Sequence, residues 1–284
     1  MSDERKSILC PNCRKLISSD EPLCPYCGLS RPGLHNAMGI LRKLLFAFDP
    51  IKSIIIVNVA FYILALLLNP GEIFISGGSP FNFLSPSGQS LLLLGATGTI
   101  PIFQFHHYWS LISASFLHGG ILHIGFNMMA LYQIGPFILQ EFGFYRFIII
   151  YILTGIAGFV VSLFFGVPFT IGASASLCGL IGAIIYYGRS RGGHYGQAIY
   201  KQAMGWVLGL IVFGVLLSGI NNWAHGGGLL SGILLAFLLG YNDKKRGTAG
   251  HKLLAYACIL ITAGVLIWAI AYSLISVLAP ELLS

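Results

Sequence analysis

Residues 145–165 read YRFIIIYILTGIAGFVVSLFF, and they decide the class of the chain. After Arg146 the run carries no charge up to Phe165. A bilayer core needs about 20 apolar residues per helix. The run is too long and too continuous for a barrel strand, which alternates and spans about 10 residues. Working outward, similar runs are predicted at about 51–69, 109–135, 172–188, 203–220, 223–241 and 252–278, giving seven spans with this one. The composition agrees: of 284 residues, 56% are hydrophobic and 9% charged, with a mean hydropathy of +0.82. Soluble domains carry roughly 25% charged residues. The expected class is an all-α polytopic membrane protein.

The 16 Lys and Arg set the orientation. With the N-terminus in the cytoplasm, every one of them falls in residues 1–52, 141–146, 189–202 or 242–252. Basic residues collect on the cytoplasmic side of membrane proteins. Seven spans then put the C-terminus outside, in a plasma or inner membrane. The net charge of +7 is thereby explained by topology and implies no nucleic acid. No cleavable signal peptide is visible ahead of the first apolar run. The Gly-, Pro- and Ser-containing stretch 70–108 is read as a structured loop in the membrane interface, because Leu91–Leu94 is too short to span. Glu141 and Arg146 read as ordinary interface charges.

The polar first 35 residues form a separate head. They hold Cys10-Pro-Asn-Cys13 and Cys24-Pro-Tyr-Cys27, two C-x2-C turns ten residues apart. Such turns can present four thiolates to one Zn²⁺. A head this short cannot build a core alone, and a metal can supply the missing folding energy. The reading is a zinc ribbon over 1–35, with structural zinc and an unidentified partner; the other reading is a tail with incidental cysteines. A connector follows at 36–50. Cys178 and Cys258 lie in separate spans and read as small apolar residues.

Polar groups inside a bilayer are costly and point to function. His118, His123 and Asn127 lie in the second span; His123 and Asn127, four apart, share a helix face. The H-E-x-x-H metalloprotease pattern is absent. The fourth span opens Gly172-Ala-Ser174-Ala-Ser176, and the sixth opens Trp223-Ala-His225-Gly-Gly-Gly228. Small residues recur every four positions at Ala224, Gly228, Gly232, Ala236 and Gly240, and again at Ala175, Gly179 and Ala183. Such faces let helices approach closely. The fourth and sixth spans are parallel in this topology. Ser174 sits one residue before its seam and His225 one after its own. Joining the seams therefore brings the two side chains together at one depth. That is the geometry of a Ser–His nucleophile pair.

Taken in order, these motifs resemble the rhomboid family of intramembrane serine proteases over about residues 50–240. The resemblance rests on His118-x4-His123-x3-Asn127, Gly172-Ala-Ser174 and Ala224-His225-x-x-Gly228, with Glu141-Phe-Gly143 and Gly155-x-x-Gly158 in support. It implies a six-helix core over 51–241. The seventh helix, in 242–284, and the zinc head look like additions found in some members. It also implies Ser174 as nucleophile, His225 as base, His123 and Asn127 at the oxyanion, Gly172 and His118 as structural neighbours, no cofactor for catalysis, and transmembrane-helix substrates cut near the outer face. Three positions depart from the family pattern: Ala175 follows the nucleophile in place of Gly, Cys178 stands where Tyr or Phe is frequent, and Ser110 follows Trp109 in place of Arg. Two other functions use some of the same residues. A non-catalytic relative would bind and traffic membrane proteins without needing a Ser–His pair. A transporter would show internal repeats and half-helices at mid-membrane.

Overall fold

A computed structural model describes residues 7–10, 15–26, 32, 49–72, 83–217, 219–241 and 248–278. The chain divides into two units, Met1–Ser53 and Ile54–Ser284.

In the first unit, strands β1 (Ser7–Leu9) and β2 (Leu16–Ser18) pair antiparallel, with Ile8 opposite Ile17. The Cys10 N–H closes the hairpin on the Lys15 carbonyl at 2.9 Å. Cys10, Ile17 and Cys24 are buried together in one small cluster. The Lys15 ammonium lies 4.6 Å over the Tyr26 ring. Cys13, Cys27 and nearly all of the predicted connector 36–50 fall outside the described residues.

The second unit is helical. Helix α1 is Pro50–Leu68, its first four residues belonging to the first unit; Asp49 starts it, its carboxylate accepting the Ile51 N–H at 3.0 Å. Short helices α2 (Gly88–Leu93), α3 (Thr99–Phe103) and α4 (Ser110–Ser113) follow. Long helices complete the unit: α5 (Ile121–Phe142), α6 (Phe144–Phe164), α7 (Ser174–Arg191), α8 (Gly193–Leu216), α9 (Asn222–Leu239) and α10 (Ala249–Leu278). Among the described residues, six helices are long and apolar enough to cross a membrane: α1, α5, α6, α8, α9 and α10.

Helix α7 is the exception, and its packing explains why. Residues 175–184 are all buried against neighbouring helices. A helix surrounded by protein has no need of large lipid-facing side chains, and eight of the 18 residues of α7 are Gly, Ala or Ser. Its small-residue seam meets that of α9. A Cβ on Gly228 would strike the Ala175 carbonyl, and one on Gly232 the Gly179 carbonyl. On the other side, a Cβ on Gly179 would strike the Thr154 side chain of α6. The two seams read from the sequence therefore do pack on each other. Helix α8 differs: Gly196 and Ala203 are its buried residues, and besides packing on α7 its Gly214 carbonyl accepts the Asn222 Nδ2–H of α9 at 2.9 Å.

Two predicted boundaries move. The second long helix starts at Ile121, not near 109. Residues 110–116 form α4 and a 3-10 turn instead, and Leu117 is extended (φ −102°, ψ 145°). The Gly119-Gly120 pair breaks the helix there, since glycine loses most conformational freedom on entering one. The segment read as a loop over 189–202 is helix on both sides of Gly192, whose φ of +67° makes the turn. Polar composition marked a water-facing segment there, which is compatible with helix.

Arg146 is also not an ordinary interface charge. It is 2% exposed, and its guanidinium donates to the Leu239 and Phe142 carbonyls, both at 3.1 Å. It thus ties the last residues of α9 and α5 to the start of α6 and satisfies carbonyls that a helix end leaves open. In the stretch 83–117, Leu91, Leu94 and Ala96 are core residues, packed with Phe61 and Ala65 of α1 and with Leu266 and Ala269 of α10.

Candidate active site

Ser174 is the first residue of α7 and His225 lies in the first turn of α9. The joined seams leave them side by side. His225 Nε2 and Ser174 Oγ are 2.8 Å apart, a full hydrogen bond. Both side chains are half-buried. For Nε2 to accept the serine proton, the ring proton must sit on Nδ1. That nitrogen is buried with no hydrogen-bond partner among the described residues.

The backbone before Ser174 is held on two sides. The Gly172 N–H donates to the Ala114 carbonyl at 2.8 Å. Thr170 and Thr97 exchange both backbone hydrogen bonds, at 3.1 and 2.7 Å, in an isolated antiparallel bridge. Gly172 has φ +121°, a conformation that suits glycine. A Cβ there would also lie 2.7 Å from His123 Nε2. The imidazole of His123 therefore reaches to within two residues of Ser174.

The tautomer of His123 follows from its other nitrogen. Nδ1 accepts the Gly119 N–H at 3.2 Å, so in the neutral ring the proton is on Nε2, on the side of Gly172. Asn127 is buried one turn further along α5, and its Nδ2 donates to the His123 carbonyl at 2.8 Å. One amide hydrogen remains for another acceptor. The Ser174 N–H belongs to the first turn of α7, where helix N–H groups have no intrahelical partner.

His118 is fully buried and lies edge-on to His123, with ring centroids 4.9 Å apart. Neither of its ring nitrogens has a hydrogen-bond partner among the described residues. The hydrogen bonds that hold the preceding stretch come from its surroundings instead. The Ser85 hydroxyl donates to the Gly119 carbonyl, the Tyr62 hydroxyl to the Leu84 carbonyl, and the Ile121 N–H to the Phe83 carbonyl at 3.2 Å.

One residue at the site has no place in the motif reading. Asn221 caps α9, accepting the Ala224 N–H at 3.0 Å. Its Nδ2 donates to Ser162 Oγ at 2.8 Å and to Thr170 Oγ1 at 2.9 Å. The signal available in the sequence was an Asn just before the histidine helix, a common N-cap. The reach of its amide to two other segments is a tertiary fact.

The three positions that depart from the motif pattern are all buried. Ala175 and Cys178 are buried, and a Cβ on Gly158 would contact the Ala175 side chain at 2.8 Å. The Ser110 hydroxyl is buried with no hydrogen-bond partner among the described residues, while Trp109 packs over Gly95.

A cleft of about 370 Å³, separate from Ser174 and His225, is lined by Gln133, Ile134 and Phe137 of α5, Ile184 of α7, and Ile199, Gln202 and Trp206 of α8. Ile184 lies ten residues along α7 from Ser174, about 15 Å at the helical rise.

Residues 106–242 match the Rhomboid domain, and this stretch contains His118, His123, Asn127, Ser174 and His225. RHOMBOID-like protein 6, mitochondrial, of Arabidopsis thaliana is 36% identical over 164 residues, 55% of this chain and 52% of that protein. RHOMBOID-like protein 4 of the same plant is 28% identical over 245 residues, 76% of this chain and 61% of that protein. The Rhomboid protease GluP of Bacillus subtilis is 31% identical over 179 residues, 63% of this chain and 35% of that protein. The chain thus spans about half the length of the relatives it matches. The matched stretch is thus similar to rhomboid proteins, and the six apolar helices fit an integral membrane protein.

Proposed function

We propose that this chain, whose residues 106–242 match the Rhomboid domain, acts as an intramembrane serine endopeptidase on transmembrane-helix substrates. The observation that carries the reading is the 2.8 Å contact between Ser174 Oγ and His225 Nε2. Ser174 attacks the scissile carbonyl while His225 Nε2 takes its proton. His225 then gives that proton to the leaving amine. Water deacylates the serine by the reverse relay. The Nε2–H of His123, the second amide hydrogen of Asn127 and the Ser174 N–H are the donors for the developing oxyanion. The first turn of α7 adds the positive end of its dipole. His118 and Gly172 shape the pocket without touching the reacting atoms.

The cut lies near the outer membrane face, with the N-terminus cytoplasmic and the C-terminus outside, as the Lys and Arg distribution favours. A non-catalytic, membrane-protein-binding role would need no aligned Ser–His pair, and the observed contact weighs against it.

Zinc, when bound, would supply folding energy to the N-terminal head. Cys10, Cys13, Cys24 and Cys27 would hold it. The burial of Cys10 beside Cys24 at the end of a hairpin fits that ligand set. Metal content of purified protein tests it: zinc that Cys10→Ser and Cys24→Ser each remove supports the ribbon, and a metal-free wild type overturns it.

The protease reading is tested by labelling purified protein with a fluorophosphonate or isocoumarin probe. Labelling is expected for the wild type and is lost in Ser174→Ala and His225→Ala. An unlabelled, folded wild type would overturn the reading.

A further inference from the structure

We propose that Asn221 is a positioning residue that sets the reach of His225 to Ser174 by pinning the histidine helix to the backbone that leads into the serine. The inference rests on the Ser–His reading above. Asn221 stands four residues before His225, and Thr170 stands four before Ser174. The two are joined by the Asn221 Nδ2 to Thr170 Oγ1 hydrogen bond at 2.9 Å, a rung four residues upstream, on both segments, of the 2.8 Å contact of the reacting pair.

The amide can sit only one way round. Its Oδ1 takes a backbone N–H, that of Ala224 at 3.0 Å, which can only donate. That leaves both Nδ2 hydrogens for hydroxyl acceptors, Thr170 Oγ1 and Ser162 Oγ. The Asn221 carbonyl also receives the His225 N–H at 3.2 Å. One side chain therefore bonds the start of α9, the end of α6 and the segment before α7 at once. Both hydroxyl partners are fixed in turn: Ser162 is fully buried and bonds the Gly158 carbonyl at 3.1 Å, and the Thr170 backbone is bridged to Thr97.

Capping alone does not call for this residue. Serine caps a helix about as well as asparagine, but its hydroxyl is too short to reach Thr170 and Ser162 as well. The catalytic consequence is geometric. Among the described residues Nδ1 of His225 has no partner to steer its ring, so its aim depends on where the backbone of α9 is held. A misplacement of about 1 Å can cost on the order of 10²-fold in rate.

The test compares Asn221→Ser, which keeps the cap and drops the two links, with Thr170→Val, Thr170→Ser and the double variant Asn221→Ser/Thr170→Val. The fluorophosphonate labelling rate at saturating probe is measured beside the unfolding temperature. The expected result is labelling slowed on the order of 10-fold or more by Asn221→Ser and by Thr170→Val. The double variant should be no slower than either, as for two partners in one contact. Thr170→Ser, which keeps the hydroxyl, should label like the wild type. Wild-type labelling in both single variants overturns the inference and leaves the protease reading intact. So does slowing by Thr170→Ser equal to that by Thr170→Val. If Asn221→Ser does not fold, the Thr170 pair decides alone. An unlabelled wild type defeats the protease reading and this inference with it.

Discussion

Ser174 and His225 are separated by 51 residues of chain and by 2.8 Å in space, and what joins them is a pair of small-residue seams. Because Gly228 and Gly232 lie on the backbone of α7, the two helices approach more closely than any side chain would permit. Gly232→Leu should therefore prevent assembly of the unit, at a cost of about 3 kcal/mol or more, since overpacking here meets backbone that cannot move aside. Gly205→Ala, where an added methyl meets nothing within 4 Å, should be neutral or stabilising. Unfolding temperature in detergent distinguishes them; similar effects of the two would refute the seam.

His123 offers the pocket a hydrogen bond through Nε2, since Nδ1 is already engaged with Gly119. His123→Ala should lower the turnover of a single-span substrate on the order of 10²–10³-fold, with little change in KM. Steady-state kinetics on reconstituted protein checks this. A change confined to KM would mean that His123 binds substrate rather than the transition state.

Gly172 combines a φ of +121° with close approach to His123. Gly172→Ala should cost on the order of 1–3 kcal/mol and reduce labelling beyond what the stability loss explains. Equal unfolding temperatures for the variant and the wild type would show that the segment relaxes without penalty.

His107 donates to or accepts from the Tyr272 hydroxyl at 3.2 Å and packs edge-on against that ring, tying the segment before α4 to α10. Burial pushes the His107 pKa below its ordinary 6.5. The folded state thus favours the neutral ring. The sign follows: this contribution is present above about pH 6.5 and is lost as the pH falls toward the folded pKa. Wild-type stability should decline on acidification through that range, and His107→Phe should flatten the decline. Unfolding temperatures between pH 5 and 8 measure it; an unchanged slope in the variant would exclude His107 as the source.

Much of the site was legible because each signal was local. A His and an Asn at a spacing of four share a helix face wherever the helix goes, and small residues at the same spacing make a seam on any helix. Adding two such seams on parallel helices gave the Ser174–His225 pairing without a structure. Boundaries were less legible. Ser110 to Phe116 carries enough apolar character to read as part of a span, and only the backbone at Leu117–Gly120 separates it from α5. Arg146 was misread because a charge near a helix end looks the same in sequence whether it faces water or two open carbonyls.

The sequence by itself determined the membrane class, the order of the helices, the polar residues worth watching and the seams that would join. These depend on composition and on periods of a few residues, which the chain carries along its length. Only the tertiary structure decided that α7 is enclosed by protein, that His123 points its Nε2 toward Gly172, and that Asn221 binds three segments at once. Those facts depend on contacts between residues tens of positions apart, such as Asn221 with Ser162 and Thr170, and no local pattern records which distant hydroxyl a side chain will meet.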